Sequence, residues 1–197
     1  MKWLKAAAEE LLASAEKVIG ELDPDQVERL VQMILGAREK KIFVIGMGRS
    51  GFVGRAFALR LMNLGFNVYF LGETITPAAT EGDLVIAISG SGTARLALAV
   101  SEAAREIGAK VVAITSRPKS PLGRTADHAM VIGGRTKTAH EDEYLTRQLL
   151  GEREPLSPLG TMFENNCMIF LDGLIVELMH RLGKTEEELR RLHATIE

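Results

Sequence analysis

Lys41-Ile42-Phe43-Val44-Ile45-Gly46-Met47-Gly48-Arg49-Ser50-Gly51 is the stretch on which the fold turns. Four apolar residues in a row, Ile42 to Ile45, run into a glycine-rich turn, and a helical pattern follows at once. A run that is apolar at every position, rather than at alternate ones, suits a strand covered on both faces. Glycines let the backbone come close to a ligand. The helix beyond them offers unpaired N–H groups and partial positive charge, which favour an anion.

The same grammar recurs on the C-terminal side. Apolar runs fall at 68–71, 84–88, 111–114 and 130–132, with helical patterns over 51–64 and 95–107 and a shorter one near Leu122. Strand–helix alternation of this kind builds right-handed βαβ units. The expected class is α/β: a single doubly wound domain whose five-stranded parallel sheet has the flavodoxin-like order 2-1-3-4-5, with helices on both faces. On the N-terminal side, Leu4, Ala8, Leu11, Leu12, Ala15, Val18 and Ile19 recur at helical spacing. Asp23-Pro24 is a helix start. Residues 1–39 therefore read as a helical extension of one domain spanning 1–197. Residues 136–158 are rich in charge and read as a long surface loop, with one helical stretch over 141–150. A long apolar helix over 160–182 and a short one over 186–193 complete the chain.

A length of 197 residues suits one domain, and a formal charge of -2 gives no sign of a nucleic-acid or membrane surface. The one cysteine, Cys167, precludes an intramolecular disulfide. The first twelve residues mix lysine and glutamate with apolar residues, unlike a signal peptide. No stretch reaches the roughly 20 apolar residues of a membrane span. The expectation is a cytoplasmic protein.

In sheets of this order, ligands bind beyond the carboxyl ends of the strands where the order reverses, here between the first and third runs. The first loop, 46–51, carries Gly48, Ser50 and Arg49. The second, Ser89-Gly90-Ser91-Gly92-Thr93, places three hydroxyls on a glycine-rich turn before a helix. This loop lacks the lysine of a nucleotide P-loop and holds no Gly-Lys-Ser/Thr, which argues against a triphosphate held with magnesium and for a monophosphate. One rival reading uses the same residues. Gly46 to Gly51 is a literal G-x-G-x-x-G, and Glu73 follows about 20 residues later, as in dinucleotide binding. Against it, the second loop has no role in that fingerprint, and no second domain remains to hold a hydride acceptor.

The two loops, in this order, resemble the sugar isomerase (SIS) domain family. Further stretches look like its 6-phospho-3-hexuloisomerase branch: Phe57-Ala58-Leu59-Arg60-Leu61-Met62, Gly72-Glu73-Thr74, Pro158-Leu159-Gly160-Thr161-Met162-Phe163-Glu164 and the ending His193-Ala194-Thr195-Ile196-Glu197. The resemblance implies serines of both loops gripping a sugar phosphate, and interconversion of D-arabino-hex-3-ulose 6-phosphate with fructose 6-phosphate. It also implies a place in the ribulose monophosphate route of formaldehyde handling, or in pentose phosphate supply run in reverse. No metal or organic cofactor is expected, and the expected assembly is a homotetramer with shared active sites. Alternatives within its reach are an isomerase of arabinose 5-phosphate or heptulose 7-phosphate, and a non-catalytic sugar-phosphate-binding regulator. Two positions depart from the family pattern. Asn63 stands where histidine is common, and Ala94 where threonine is common; Thr93 offers a hydroxyl one residue earlier.

Moving a carbonyl from C3 to C2 requires a base beside the carbon and donors for an enediolate oxygen. On the implied chemistry, Glu164 is the candidate base and His193 a proton shuttle, with the order of the two left open. Arg49 stabilises the enediolate or contacts the phosphate. Glu73 orients a sugar hydroxyl or caps a loop. Gly48, Ser50, Ser89, Ser91, Gly92 and Thr93 bind the phosphate. His128 is read as structural, His140 as a loop residue without metal-ligand spacing, His180 as a helix-end cation and Cys167 as a packed thiol. In the 160–182 helix, Phe163, Cys167, Phe170, Leu174, Leu178 and Leu182 face the sheet. Met162, Ile169, Ile175, Val176 and Met179 are then left for a subunit interface.

Overall fold

Side chains alternate across a strand, so the unbroken apolar runs must feed two cores. They do so in the structure, a computed structural model that describes residues 1–134, 136, 149 and 156–191. Strands β1 (Lys41–Gly46), β2 (Asn67–Phe70), β3 (Leu84–Ile88), β4 (Lys110–Thr115) and β5 (His128–Val131) form one parallel sheet of order β2-β1-β3-β4-β5. Ile42 and Val44 of β1, Leu84, Ile86 and Ile88 of β3, and Val112 and Ile114 of β4 point to one face. Phe43 and Ile45, Val85 and Ala87, and Val111 and Ala113 point to the other. Register follows the same logic: Val44 lies opposite Phe70 on one side and Ile86 on the other.

Helices α2 (Pro24–Gly36), α3 (Arg49–Asn63) and α6 (Thr161–Arg181) cover the first face, and α4 (Arg95–Glu106) and α5 (Pro121–Thr125) the second. Asp23 caps α2, its carboxylate accepting from the N–H groups of Asp25 and Gln26, and Pro24 supplies the first helical residue. Gln26 then ties α2 to the sheet edge. Its carbonyl accepts from His128 Nε2 at 2.8 Å and its side chain from Val131 N–H at 3.2 Å. Helix α1 (Lys2–Gly20) lies along α6, and α7 (Glu186–Arg191) follows it in the chain. Among the described residues no helix is long and apolar enough to cross a membrane.

The expected architecture and strand order hold, with shifts of one or two residues at strand ends. The helix expected from the spacing of Leu4 to Ile19 is present as α1, and its apolar stripe is mostly open: Ala15 is buried, but Leu4 and Leu12 are about two-thirds exposed. One expectation about packing needs correction. On α6, Ile175 is buried in the chain's own core rather than left for a partner, whereas Ile169 and Val176 are exposed. Residues 137–148, which carry His140, and most of the 141–150 helical stretch lie outside the described residues, as does His193.

Candidate active site

Three helices begin at one cleft at the carboxyl edge of the sheet. Its volume is about 190 Å³. Gly48 leads into α3, Ala94 into α4 and Gly160 into α6, and all three of these N-cap residues line the cleft. None gives its helix a side-chain cap, in contrast to Asp23 of α2 and Ser120 of α5. Each helix start carries about four N–H groups with no partner inside the helix. The first-turn amides of three helices are therefore free of side-chain caps around one small space. Their partial positive charges add there, as a dianion requires.

Hydroxyl groups complete the wall. Ser50, Ser89 and Ser91 line the cleft, and Ser89 is 5% exposed. The loop of Ser89 and Ser91 is pinned from behind: the Gly90 carbonyl accepts from Ser116 N–H and from Thr115 Oγ1, both at 3.1 Å. Ser91 Oγ and Thr93 Oγ1 are 2.9 Å apart, so one hydroxyl aligns the other.

Glu164 reaches the cleft from the first turn of α6. Its side chain is 5% exposed, and it accepts from Arg49 Nε at 2.5 Å. A carboxylate this buried needs a charge partner. Residues 115 apart in sequence thus pair beside the cleft: Glu164 lines it, whereas Arg49, its side chain 57% exposed, does not.

Several expected site residues lie elsewhere. Glu73 does not line the cleft: it is exposed and pairs with Arg55 Nη2 at 3.0 Å, and the Arg55 guanidinium lies over the Phe70 ring. Gly92 serves packing. It has φ +63°, and a Cβ there would fall 1.9 Å from Ser120 Oγ. Thr93 does not line the cleft but a second depression, with Ser91, Arg117 and Lys119. Asn63 ends α3, fourteen residues beyond the cleft end of the helix or about 21 Å away, and so cannot touch a ligand held by Gly48 and Ser50 of its own chain. It is 2% exposed, and neither atom of its amide has a hydrogen-bond partner. His128 is structural as expected, and burial, with Arg29 nearby, holds its pKa below the ordinary value despite the Gln26 carbonyl and Asp23. Cys167 is fully buried, which pushes its thiol pKa up.

Thr136 and Phe163 line the cleft without having been foreseen. A signal for the first was present: Gly133-Gly134 after Ile132 repeats the pattern of an apolar run ending in glycines. A dinucleotide fits this geometry poorly. The cleft is smaller than the roughly 300 Å³ at which drug-sized pockets begin, and the acid of that fingerprint is engaged by Arg55.

Comparison with known proteins agrees with these features. Residues 37–144 match the SIS domain family. A protein of Aeropyrum pernix with no assigned function is 54% identical over 91% of this chain and 85% of its own length. The 3-hexulose-6-phosphate isomerase of Methanocaldococcus jannaschii is 38% identical over 87% of this chain and 84% of its own. A crystal structure from Methanococcus jannaschii, for which the function of a 3-hexulose-6-phosphate isomerase was inferred, is 34% identical. It superposes with a TM-score of 0.77 over the whole of both chains.

Proposed function

The chain belongs to the SIS domain family, and from that premise we propose that it interconverts D-arabino-hex-3-ulose 6-phosphate and fructose 6-phosphate. The observation that carries this reading is the meeting of three uncapped helix starts, three serines and a buried glutamate at one cleft. Relatives named for that reaction at 33–38% identity support it.

The phosphate sits among the helix amides, Ser50, Ser89 and Ser91. Being remote from the reacting carbons, it contributes binding energy that positions them. Glu164 takes the proton from C2. The electron pair forms the C2–C3 double bond and pushes charge onto the C3 oxygen. Arg49, turned from Glu164 to that oxygen beforehand so that the carboxylate is free to act as base, stabilises the enediolate. The C2 hydroxyl proton passes to the C3 oxygen through His193 acting as shuttle, and the proton held by Glu164 returns at C3. No metal or organic cofactor is invoked. We place the reaction in the cytoplasm and in the ribulose monophosphate route.

We also propose assembly into a homotetramer with shared sites. Phe52, Leu59 and Met62 are exposed apolar residues on α3, and Ile169 and Val176 are exposed on α6, which packs against α3. The decisive assay supplies the 3-hexulose 6-phosphate and follows fructose 6-phosphate. A protein that leaves this substrate unchanged while turning over arabinose 5-phosphate would assign it to another sugar.

A further inference from the structure

Thr136 occupies a position in the cleft that the reaction scheme above does not use. It is 6% exposed, and its Oγ1 has no hydrogen-bond partner. A buried hydroxyl without a partner is unusual and costs stability. Two observations show that its placement is built. The chain between β5 and Thr136 is clamped: the Gly133 carbonyl accepts from Asn166 Nδ2 at 2.9 Å and the Gly134 carbonyl from Ser116 Oγ at 3.1 Å. The threonine methyl is also seated against the second phosphate loop. A Cβ on Gly90 would lie 3.0 Å from Thr136 Cγ2, and 2.8 Å from the Phe163 ring. With the methyl held there, Thr136 forms part of the cleft wall that also carries Phe163 and Glu164, and its buried hydroxyl is the polar group of that wall left without a partner.

We propose that Thr136 is a substrate-binding residue that selects a hydroxylated chain, by hydrogen-bonding a sugar hydroxyl next to the carbons on which Glu164 acts. This rests on the proposed isomerase reading and deepens it. The chemistry favours a hydroxyl over the phosphate as partner. Backbone N–H groups only donate, and a phosphate dianion only accepts, so the helix starts already suit the phosphate. A threonine hydroxyl both donates and accepts, as a sugar hydroxyl does. A site that leaves a polar group unpaired when the substrate hydroxyl is missing discriminates against deoxy analogues.

The test compares wild type with Thr136→Val, which keeps the packing methyl, and Thr136→Ser, which keeps the hydroxyl. Thr136→Val is expected to lose about 10-fold or more in affinity for fructose 6-phosphate by calorimetry, with the affinity for inorganic phosphate unchanged. Its thermal midpoint without ligand should rise by about 2–4 °C, because an unpaired buried group has gone. Thr136→Ser should bind the sugar phosphate within a few-fold of wild type. Wild-type affinity for fructose 6-phosphate in Thr136→Val overturns the proposal, as does equal weakening of inorganic phosphate. The two readings separate cleanly. Turnover of the 3-hexulose phosphate by wild type with an unaltered Thr136→Val removes only Thr136. Loss of fructose 6-phosphate binding in Thr136→Val, in a protein that does not turn over the 3-hexulose phosphate, upholds Thr136 and removes only the reaction.

Discussion

Glu164 and Asn63 show how differently two buried polar side chains behave. Glu164 has a partner and a cleft beside it; Asn63 has neither. Replacing Glu164 by Gln keeps the shape and removes the base. Turnover should fall about 10²- to 10⁴-fold, while fructose 6-phosphate binding, read by calorimetry, stays within several-fold. Turnover near wild type in Glu164→Gln would take this residue out of the mechanism. Asn63→Leu swaps an unpartnered amide for an apolar group of similar size. Stability in urea should rise by about 1–3 kcal/mol, with kcat unchanged, since the position is about 21 Å from the cleft along α3.

Elements decide what these residues can do. Helices α3, α4 and α6 leave their starts uncapped, which lowers their own stability and keeps amides available to a ligand. Asp23 shows the alternative: a side chain takes up the amides, and α2 has none left for a ligand. At the start of α4, Ala94→Thr would supply a cap. We expect about 1 kcal/mol of added stability, read as the urea midpoint. The new hydroxyl also changes inorganic phosphate affinity, because it enters the cleft wall. No change in either quantity would show that the α4 start is already satisfied. The junction of α2 with β5 has its own pH signature. Burial holds His128 neutral below its ordinary pKa of about 6.5. Its contribution to stability is therefore complete above about pH 6.5. It is lost as pH falls from there through the depressed folded value, because only the unfolded chain then takes up the proton. The thermal midpoint should drop between pH 7 and 5, and His128→Gln should flatten that slope. An equal slope in both proteins would assign the acid sensitivity to other groups.

At the scale of the whole molecule, apolar surface remains uncovered. Trp3, Leu4 and Leu12 on α1 and Phe52 on α3 are each about two-thirds exposed or more, and Ile169 and Val176 on α6 about half. These residues are the surface on which the proposed assembly would rest. Sedimentation should report a tetramer at micromolar concentration, and Phe52→Asp with Val176→Asp should shift it to smaller species. A monomer that does not change with concentration would contradict the assembly.

The local code reached far in this chain. Unbroken apolar runs such as Leu84 to Ile88 announced strands buried on two faces, because strand side chains alternate and only a covered sheet tolerates a run with no polar member. Glycines after two of the runs marked the loops of the switch point, because close backbone approach there is a local steric matter. The tertiary structure decided the rest. Arg49 and Glu164 meet across 115 residues; Glu73 turned to Arg55 instead of the cleft; and Thr136, within a stretch whose charge suggested an open loop, lies buried beside Gly90 and Phe163. Pairing and burial of this kind depend on which helix start folds against which strand end. That proximity is a property of the packed chain and leaves no trace in the spacing of its residues.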